Sequence, residues 1–401
     1  MEEWNIIKAY DYCYNVTDGT HDSPKQTEFG KYLITSKHIK DNRIDFESAY
    51  KISEDDYNKI ITRSKVDQWD IIISMIGAYC GFCCIESSKQ TDYAIKNVGL
   101  LKVGNELKCK WLYYYLTSPH GKQQLSKLRS GSSQPYISLG ALRNLDIPVP
   151  NENTMSDIVS VLSSLDSKIE LNRCINDNLE QQAQALFKSW FVDFEPFKEG
   201  KFVDSEMGMI PEGWKVGRLC DFAIITMGQS PSGDSYNENK EGMVFYQGRS
   251  EFGNRFPSIK LYTTDPNRIA EKNSILISVR APVGDINIAS QDCCIGRGLA
   301  SIKARGNYNS FLYYTVKSMK KEFDVYNGEG TVFGSINKDS LNSMPVIIPT
   351  TEEISNFEKI TSVLDYNYEK CHRENIILTS LRDNLLPRLM SGELKINDLN
   401  C

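Results

Sequence analysis

The feature that most constrains this chain is a long amphipathic stretch that occurs twice. From about Asn151 to Phe191, the residues Ile158, Leu162, Leu165, Ile169, Asn172, Asn176, Leu179, Ala183 and Leu186 alternate four- and three-residue steps. That spacing lays one narrow apolar stripe along a helix, the pattern of a coiled-coil seam. Asn172 and Asn176 interrupt the stripe; polar residues at such places weaken a seam but fix its register and partner. A helix of about 35 residues, rising 1.5 Å each, spans roughly 50 Å, too long for the inside of a small domain. It reads as a spacer. The stretch returns from about Thr350 to Met390: Leu165-Asp166 becomes Leu364-Asp365, a shift of 364 − 165 = 199. At that shift Ile169 meets Tyr368, Asn176 meets Asn375, Leu179 meets Leu378 and Leu186 meets Leu385. Asn151 and Thr350 stand at equivalent N-cap positions, and Glu353 completes a capping box at the second. The two helices are expected to pair antiparallel, with Asn176 and Asn375 near the seam.

The approach to each helix repeats as well. Leu142-x-x-Leu145-x-Ile147-x-x-Pro150 corresponds to Leu341-x-x-Met344-x-Val346-x-x-Pro349. The chain is therefore an internal duplication. Trp4 and Asp11 echo in Trp214 and Asp221 at a shift of 210, so the first module is longer by about 210 − 199 = 11 residues. The organisation that follows is a globular module at 1–150, a helical spacer at 151–197, a linker at 198–209, a second module at 210–349 and a second spacer at 350–401. Tyr32-Leu-Ile-Thr-Ser, Trp69-Asp-Ile-Ile-Ile-Ser, Val98-Gly-Leu-Leu-Lys-Val and Ile275-Leu-Ile-Ser read as strands, being apolar and branched. Lys110-Trp-Leu-Tyr-Tyr-Tyr-Leu opens a helix expected to run to Lys127. The fold class is α/β. The aromatic run Phe187-Lys-Ser-Trp-Phe-Val-Asp-Phe194 would be costly to expose and is expected to pack on the following module or on a partner.

Charge and cysteine content narrow the function classes. The net charge is −6, which on its face disfavours nucleic acid, but whole-chain charge is a weak guide when repeated modules carry local patches. Between Lys102 and Arg143 the charged residues are Lys102, Glu106, Lys108, Lys110, Lys122, Lys127, Arg129 and Arg143, with a single acid among them. The plain alternative is a solvated basic face. The 11 cysteines are scattered, and reduced thiols of a cytoplasmic protein suit them better than a disulfide framework. Cys80-Gly-Phe-Cys83 has no matching second pair, so no metal is expected. No apolar run nears the roughly 20 residues of a membrane span, and Met1-Glu-Glu-Trp lacks the basic and apolar parts of a signal peptide. An adenine methylase would need Asn-Pro-Pro or Asp-Pro-Pro beside an aromatic, and a nucleotide site would need Gly-x-x-x-x-Gly-Lys-Ser/Thr; neither occurs. No nucleophilic triad stands out. No catalytic residue is assigned, and the chain is read as a non-enzyme.

The loops carry the remaining signal. Asp18-Gly-Thr-His-Asp-Ser-Pro24 is dense in turn formers, and Gly228-Gln-Ser-Pro-Ser-Gly233 takes its place in the second module. The residues after the central strands differ, Met75-Ile-Gly in one and Val279-Arg-Ala in the other. Divergent loops on a repeated scaffold suggest one architecture reading two targets. The alternative is a turn whose side chains satisfy only its own backbone.

The whole chain resembles the specificity subunits of type I restriction-modification systems. The likeness is carried by Leu162-Ser-Ser-Leu-Asp-Ser-Lys-Ile-Glu-Leu-Asn-Arg173, by Ala185 to Phe194, and by Trp214 through Gly228-Gln-Ser-Pro231. The module ends, Leu142 to Pro150 and Leu341 to Pro349, carry it too, as does Asn384-Leu-Leu-Pro-Arg-Leu-Met-Ser-Gly-Glu393. The Asp18-to-Pro24 opening departs from the Gly-Gln-Ser-Pro form, which leaves the sequence read open. The resemblance implies two target-recognition domains joined by two long antiparallel coiled-coil helices in a pseudo-twofold repeat. Each domain would read half of a split site on double-stranded DNA. The helices would dock two methyltransferase subunits that methylate adenine N6 from S-adenosylmethionine. Separate restriction subunits would supply translocation and cleavage with ATP and Mg; this chain would bind no cofactor. Sequence reading needs polar and cationic side chains at base edges. The candidate DNA-binding residues are Thr20, His21, Asp22, Ser23, Ser133, Gln134, Tyr136, Ser230, Arg249, Arg280, Arg297 and Thr331. Helix pairing or subunit docking is expected at Leu165, Ile169, Asn176, Leu179, Leu186, Phe187, Trp190, Phe191, Leu364, Tyr368, Asn375, Leu378 and Leu385. Half-site centres one helical turn apart, roughly 10–10.5 base pairs, leave an unread gap of about 5–8 base pairs. The alternatives are a coiled-coil adaptor that reads no DNA and a self-contained DNA methyltransferase.

Overall fold

The computed structural model of the chain describes residues 4–40, 42–131, 134–328 and 334–396. The chain divides into two compact units: the residues up to Asn172 together with those from Arg373 onward, and the contiguous stretch 173–372. Two 40-residue helices, Glu152–Phe191 and Thr351–Met390, each pass from one unit into the other. Both starts are capped as their sequences require. Asn151 Oδ1 accepts from Thr154 N at 2.9 Å. Thr350 N and Oγ1 donate to Glu353 Oε2 at 2.9 and 2.7 Å, which closes the capping box.

Each unit shows that the helices run antiparallel. In the first, Asp166 pairs with Arg382 at 2.8 Å and Lys168 with Glu374 at 3.2 Å. Asn172 Nδ2, fully buried, donates to Glu374 Oε2 at 2.8 Å and to Asn375 Oδ1 at 3.0 Å, while Asn375 Nδ2 donates to Ile169 O. The polar break in the seam is thus a hydrogen-bonded register pin rather than a defect. In the second unit, Glu180 faces Asp365 across a shared arginine, and the rings of Phe187 and Phe191 pack on Phe357 at 5.9 and 5.1 Å.

The globular parts repeat one four-stranded sheet and differ in the second, which, among the described residues, has three strands in the first unit and five in the second. The first unit holds an antiparallel sheet in the order Asn15–Asp18, Val98–Lys102, Asp70–Ser74, Cys83–Ile85; the second holds Ala223–Met227, Leu299–Ala304, Ile275–Ser278, Ile286–Ile288. A second sheet contains one parallel pair in each unit, Lys31–Ile34 with Tyr93–Ile95 and Met243–Tyr246 with Cys293–Ile295. An edge pair carries the chain into each long helix: Asn5–Lys8 with Asp146–Val149, and Lys215–Arg218 with Pro345–Ile348. The repeated Leu-x-x-Leu-x-Ile pattern becomes a short helix and this edge strand, with Leu142, Ile147, Leu341 and Val346 all buried.

Both cores close against the long helices. Ile71, Ile73, Leu101 and Leu112 pack with Ile158 and Leu162 of the first helix and Leu386, Leu389 and Met390 of the second. Ile275, Ile277, Ile302 and Phe311 pack with Ala183, Phe187 and Phe191 of the first and Phe357 of the second. The aromatic run at the end of the first helix therefore covers the module that follows it, around Trp214. Each such side chain contributes about 1.5–3 kcal/mol by leaving water.

Two expectations change. The helix expected from Lys110 to Lys127 is two helices, Glu106–Thr117 and Pro119–Lys127. Pro119 has no amide proton to continue the first, and Ser118 Oγ instead caps the second by accepting from Gly121 N at 3.1 Å. The basic run also dissolves in part. Lys102 is buried between Asp70 and Asp67 at 2.7 and 2.9 Å, Lys110 pairs with Glu106, and Arg143 Nε donates to Val16 O.

Candidate nucleic-acid interface

One end of each pair of sheets gathers the divergent loops, and the same backbone crossing builds both. In the first unit Gly19 N donates to Val98 O at 2.9 Å and Thr20 N to Ile95 O at 3.0 Å; in the second Gly228 N donates to Leu299 O at 2.9 Å and Gln229 N to Ile295 O at 2.9 Å. A Cβ on Gly19 would lie 2.3 Å from Ile95 O, and one on Gly228 would lie 2.2 Å from Gly296 O. Only glycine lets the chains cross this closely. The crossing equates Gly19-Thr20-His21 with Gly228-Gln229-Ser230, although the two sequences share only the glycine.

The next residue of each loop then meets the same neighbour. His21 Nδ1 lies 3.0 Å from Asn97 Oδ1, and Ser230 Oγ accepts from Arg297 N at 3.2 Å. Asn97 and Arg297 each lie two residues past the isoleucine of the crossing, Ile95 and Ile295, with 297 − 97 = 200; the second unit has one extra residue before the strand, where Leu299 answers Val98. An imidazole against a carboxamide thus stands in one unit where a hydroxyl against the backbone amide of an exposed arginine stands in the other.

The other expected DNA-facing residues fall around these pairs. His21 Nε2 also lies 3.1 Å from Asp18 Oδ2, Thr20 Oγ1 accepts from Asp22 N, and Ser23 Oγ accepts from Lys96 Nζ at 2.6 Å. Thr20 through Ser23 thus form one knit cluster with Lys96 and Asn97. Gln134 and Tyr136 are exposed; Gly77 N donates to Pro135 O at 2.8 Å and ties their loop to the turn after the strand Asp70–Ser74. Exposed Tyr79 and Phe82, in edge contact at 5.8 Å, sit on that same turn. The second unit repeats the tie: Ala281 N donates to Gly334 O, and Arg280 bridges Ser335. Val279 N donates to Gly298 O, which brings the exposed Arg280 beside the loop of Arg297. Arg249 is less available, its Nε being 2.6 Å from Asp285 Oδ2. Ser133 and Thr331 lie outside the described residues.

The sequence alone did not single out Asn97 and Lys96, which join the cluster through contacts 76 and 73 residues away, nor Tyr79 and Phe82, whose exposure only the fold reveals. The equal offset of Asn97 and Arg297 from the two matching isoleucines was the available signal.

The helix residues face inward. Ile169, Asn176, Phe187, Phe191 and Tyr368 are buried, and Leu165, Leu179, Leu186, Trp190, Leu364, Asn375, Leu378 and Leu385 are half-buried. Of these, Asn375 joins the two helices through Asn172 and Ile169 O, Leu385 packs on the first core, and Leu186, Phe187, Trp190, Phe191 and Leu364 pack on the second. The seats are also electrostatic. Tyr114 Oη donates to Asp166 Oδ2 at 2.7 Å in the first unit, and Tyr314 Oη to Asp365 Oδ1 at 3.2 Å in the second. Burial alone would raise the Glu180 carboxyl, but the Arg255 guanidinium and the Lys317 ammonium hold it below the ordinary carboxylate range.

Among the described residues no three His, Cys, Asp or Glu side chains are grouped to hold a metal ion. No helix among them is long and apolar enough to cross a membrane. The family described as "Type I restriction modification DNA specificity domain" matches residues 1–181 and 211–378. A chain named for the specificity subunit of the type I restriction enzyme MjaX of Methanocaldococcus jannaschii is 30% identical over 406 residues, covering 98% of this chain and 94% of its own. The specificity subunit of the type I restriction enzyme HindI of Haemophilus influenzae is 28% identical, covering 68% of this chain and 74% of its own. The crystal structure of the S subunit of a type I restriction-modification system from M. genitalium has the same fold, with a TM-score of 0.57 at 17% identity and 96% of each chain covered. The duplicated sheets, the shared pair of long helices and these matches lead to one conclusion: the chain belongs to the type I restriction-modification DNA specificity family.

Proposed function

We propose that the chain is the DNA-recognition subunit of a type I restriction-modification complex, and that each globular domain reads one half of a bipartite site. The observation that carries this reading is the repeated loop crossing at Gly19 and Gly228. It presents His21 with Asn97 in one domain and Ser230 with Arg297 in the other, so one frame offers two different sets of donors and acceptors. Base edges in the major groove are told apart by such sets. The domains are taken as 1–150 and 210–349, the helical spacers as 151–197 and 350–401, with a linker at 198–209. Thr20, His21, Asp22, Ser23, Gln134, Tyr136, Ser230, Arg249, Arg280 and Arg297 are the side chains offered to DNA. The chain supplies no chemistry of its own. Two methyltransferase subunits docked on the long helices transfer methyl groups from S-adenosylmethionine to adenine N6. Restriction subunits add ATP- and Mg-dependent translocation and cleavage. The complex works on cytoplasmic DNA.

The test is co-expression with the methyltransferase subunits, followed by single-molecule mapping of methylated adenines. The expected result is one split sequence with an unread gap of about 5–8 base pairs, its half-site centres roughly one helical turn apart. Assembly without sequence-dependent methylation would favour an adaptor. Methylation by the chain alone would favour a self-contained methyltransferase.

A further inference from the structure

Arg255 is a cation of the second unit that is enclosed rather than offered to solvent. It is only 3% exposed, although it belongs to a loop of the globular part. Its Nη1 lies 3.0 Å from Glu180 on the first long helix and its Nη2 lies 2.5 Å from Asp365 on the second. The guanidinium is stacked between Tyr313 at 4.5 Å and Tyr368 at 4.7 Å from the ring centroids. A planar fork holding two carboxylates while filling a slot between two rings is a task for arginine alone among the cations. The neighbouring Phe256 stacks on His372 of the second helix at 4.8 Å.

The other end of this loop is tied to the reading surface. Asn287, on the strand beside the central one, donates to Gly253 O at 2.9 Å and accepts from Gly253 N at 3.0 Å. Ile288 N donates to Arg255 O at 2.8 Å. The same loop starts at Arg249, paired with Asp285 next to the Arg280 turn. A short, doubly anchored segment therefore joins both long helices to the loops offered to DNA.

Among the described residues, the first unit shows no buried arginine shared between the two long helices and the globular part. Its aspartate at the matching place, Asp166, takes its cation from the helix pair itself, as Arg382. The globular part adds the Tyr114 hydroxyl there, and an Arg43–Glu170 pair whose side chains are 45% and 48% exposed. Exposed pairs contribute little, and removing one partner of a buried pair costs far more.

We infer that Arg255 is a positioning residue that fixes the second recognition domain on the helices and so enforces the length of the unread gap. This rests on the reading of two half-sites proposed above. Changing the gap by one base pair moves a half-site by about 3.4 Å along the DNA and by about 35° around it. A domain can follow only by sliding and turning on its helices, and the buried fork opposes that movement. Losing the fork relaxes the gap and leaves the letters of both half-sites unchanged, because no base-facing side chain is touched.

The test uses the chain assembled with its methyltransferase subunits and a panel of duplexes. The half-sites are held constant in one set while the gap is varied by one and two base pairs; a second set carries single changes within each half-site. Wild type is expected to lose about tenfold or more on a one-base-pair gap change, the scale of one mismatched pair. Arg255→Met is expected to bring that loss to about threefold or less while half-site discrimination stays at the wild-type ratio. Arg43→Met is expected to keep the wild-type gap ratio. Should Arg255→Met fail to assemble, Arg255→Lys, which keeps the charge without the fork, is held to the same ratios. An unchanged gap ratio in the assembled Arg255 variant overturns the inference alone, as does an equal relaxation by Arg43→Met. A wild-type complex indifferent to changes in either half-site overturns the reading beneath it as well.

Discussion

The two units fill equivalent places with different matter. Where the second stacks Phe187, Phe191, Phe311 and Phe357, the first, at a constant offset of 199, has Leu386, Met390, Leu112 and Ile158. All eight are buried. The rings of the second unit meet edge to face or tilted, from 5.0 to 6.4 Å apart, and extend through Trp190, Phe197 and Trp214. The ring contacts of the first unit are scattered instead, among them Trp4 on Trp111 at 5.3 Å, Tyr32 and Tyr93 on Phe46 at 5.5 Å each, and Tyr113 on Tyr114 at 5.5 Å. The backbone frame is therefore fixed by volume and by hydrogen bonding at the strand crossings. The choice between branched aliphatics and rings is free as long as the space is filled.

That contrast can be broken most directly at one matched pair. Phe357→Ala is expected to cost about 3–5 kcal/mol and Ile158→Ala about 2–4 kcal/mol, both by leaving a cavity against unrelaxed neighbours. Denaturant unfolding of the two variants decides it; a larger cost at Ile158 would show that the aromatic cluster is not what holds the second unit. A smaller effect should treat the units alike. Gly19→Ala and Gly228→Ala each push a methyl group into a neighbouring carbonyl, and each is expected to lower stability by about 1–3 kcal/mol. If only one of them is tolerated, the two crossings are not equivalent. The reading loops should then differ in kind. Arg297→Ala in the assembled complex is expected to lose about 1–3 kcal/mol of discrimination at one position of one half-site. His21→Ala should alter the other half-site only. Loss of binding to all sequences alike would mark Arg297 as a phosphate contact instead.

The smallest effect concerns how the helix after each central sheet begins. Asn105 caps the first with its own carboxamide, accepting from Lys108 N at 2.9 Å. The second has no local cap and borrows Glu358 from the long helix, whose carboxylate accepts from Ser310 N and Phe311 N at 3.1 and 3.0 Å. Burial pushes the Glu358 carboxyl up against the lowering effect of those amides. An acid whose folded pKa exceeds its unfolded one adds stability that is complete below the unfolded value and lost as pH rises through the folded one. Glu358→Gln is expected to flatten that decline from about pH 4 upward. Thermal midpoints of variant and parent across pH would show it; parallel curves would refute it. The Asn105 end offers no counterpart.

Much of this frame is legible in the sequence because it is local or periodic. The four-three stripe, the caps at Asn151 and Thr350 and the repeated Leu-x-x-Leu-x-Ile pattern each follow from neighbours within a few residues. The break at Pro119 is equally local, but the continuous apolar run Trp111 to Leu116 masks it. The surface proposed to read DNA is harder. His21 owes its place to Asn97, 76 residues away, and Arg255 owes its meaning to carboxylates 75 and 110 residues away. In composition Arg255 is one more surface arginine; only the fold makes it a buried fork. The Lys102-to-Arg143 run shows the converse, since tertiary pairing with Asp70 and Asp67 removes Lys102 from any exposed basic face.

The division of the chain also sets an order of events. The second unit is one uninterrupted stretch, 173–372, whereas the first needs residues from both sides of it. Leu386, Leu389 and Met390 close the first core, and Asp166 meets Arg382 across 216 residues. Closing such a long loop costs entropy before any contact repays it, and contacts of high sequence separation form slowly. During synthesis the ribosome delivers the first module early but withholds its last wall until nearly the whole chain has emerged. The half of the protein that is made first is thus the half that is finished last, and until then its apolar strands wait with one face uncovered.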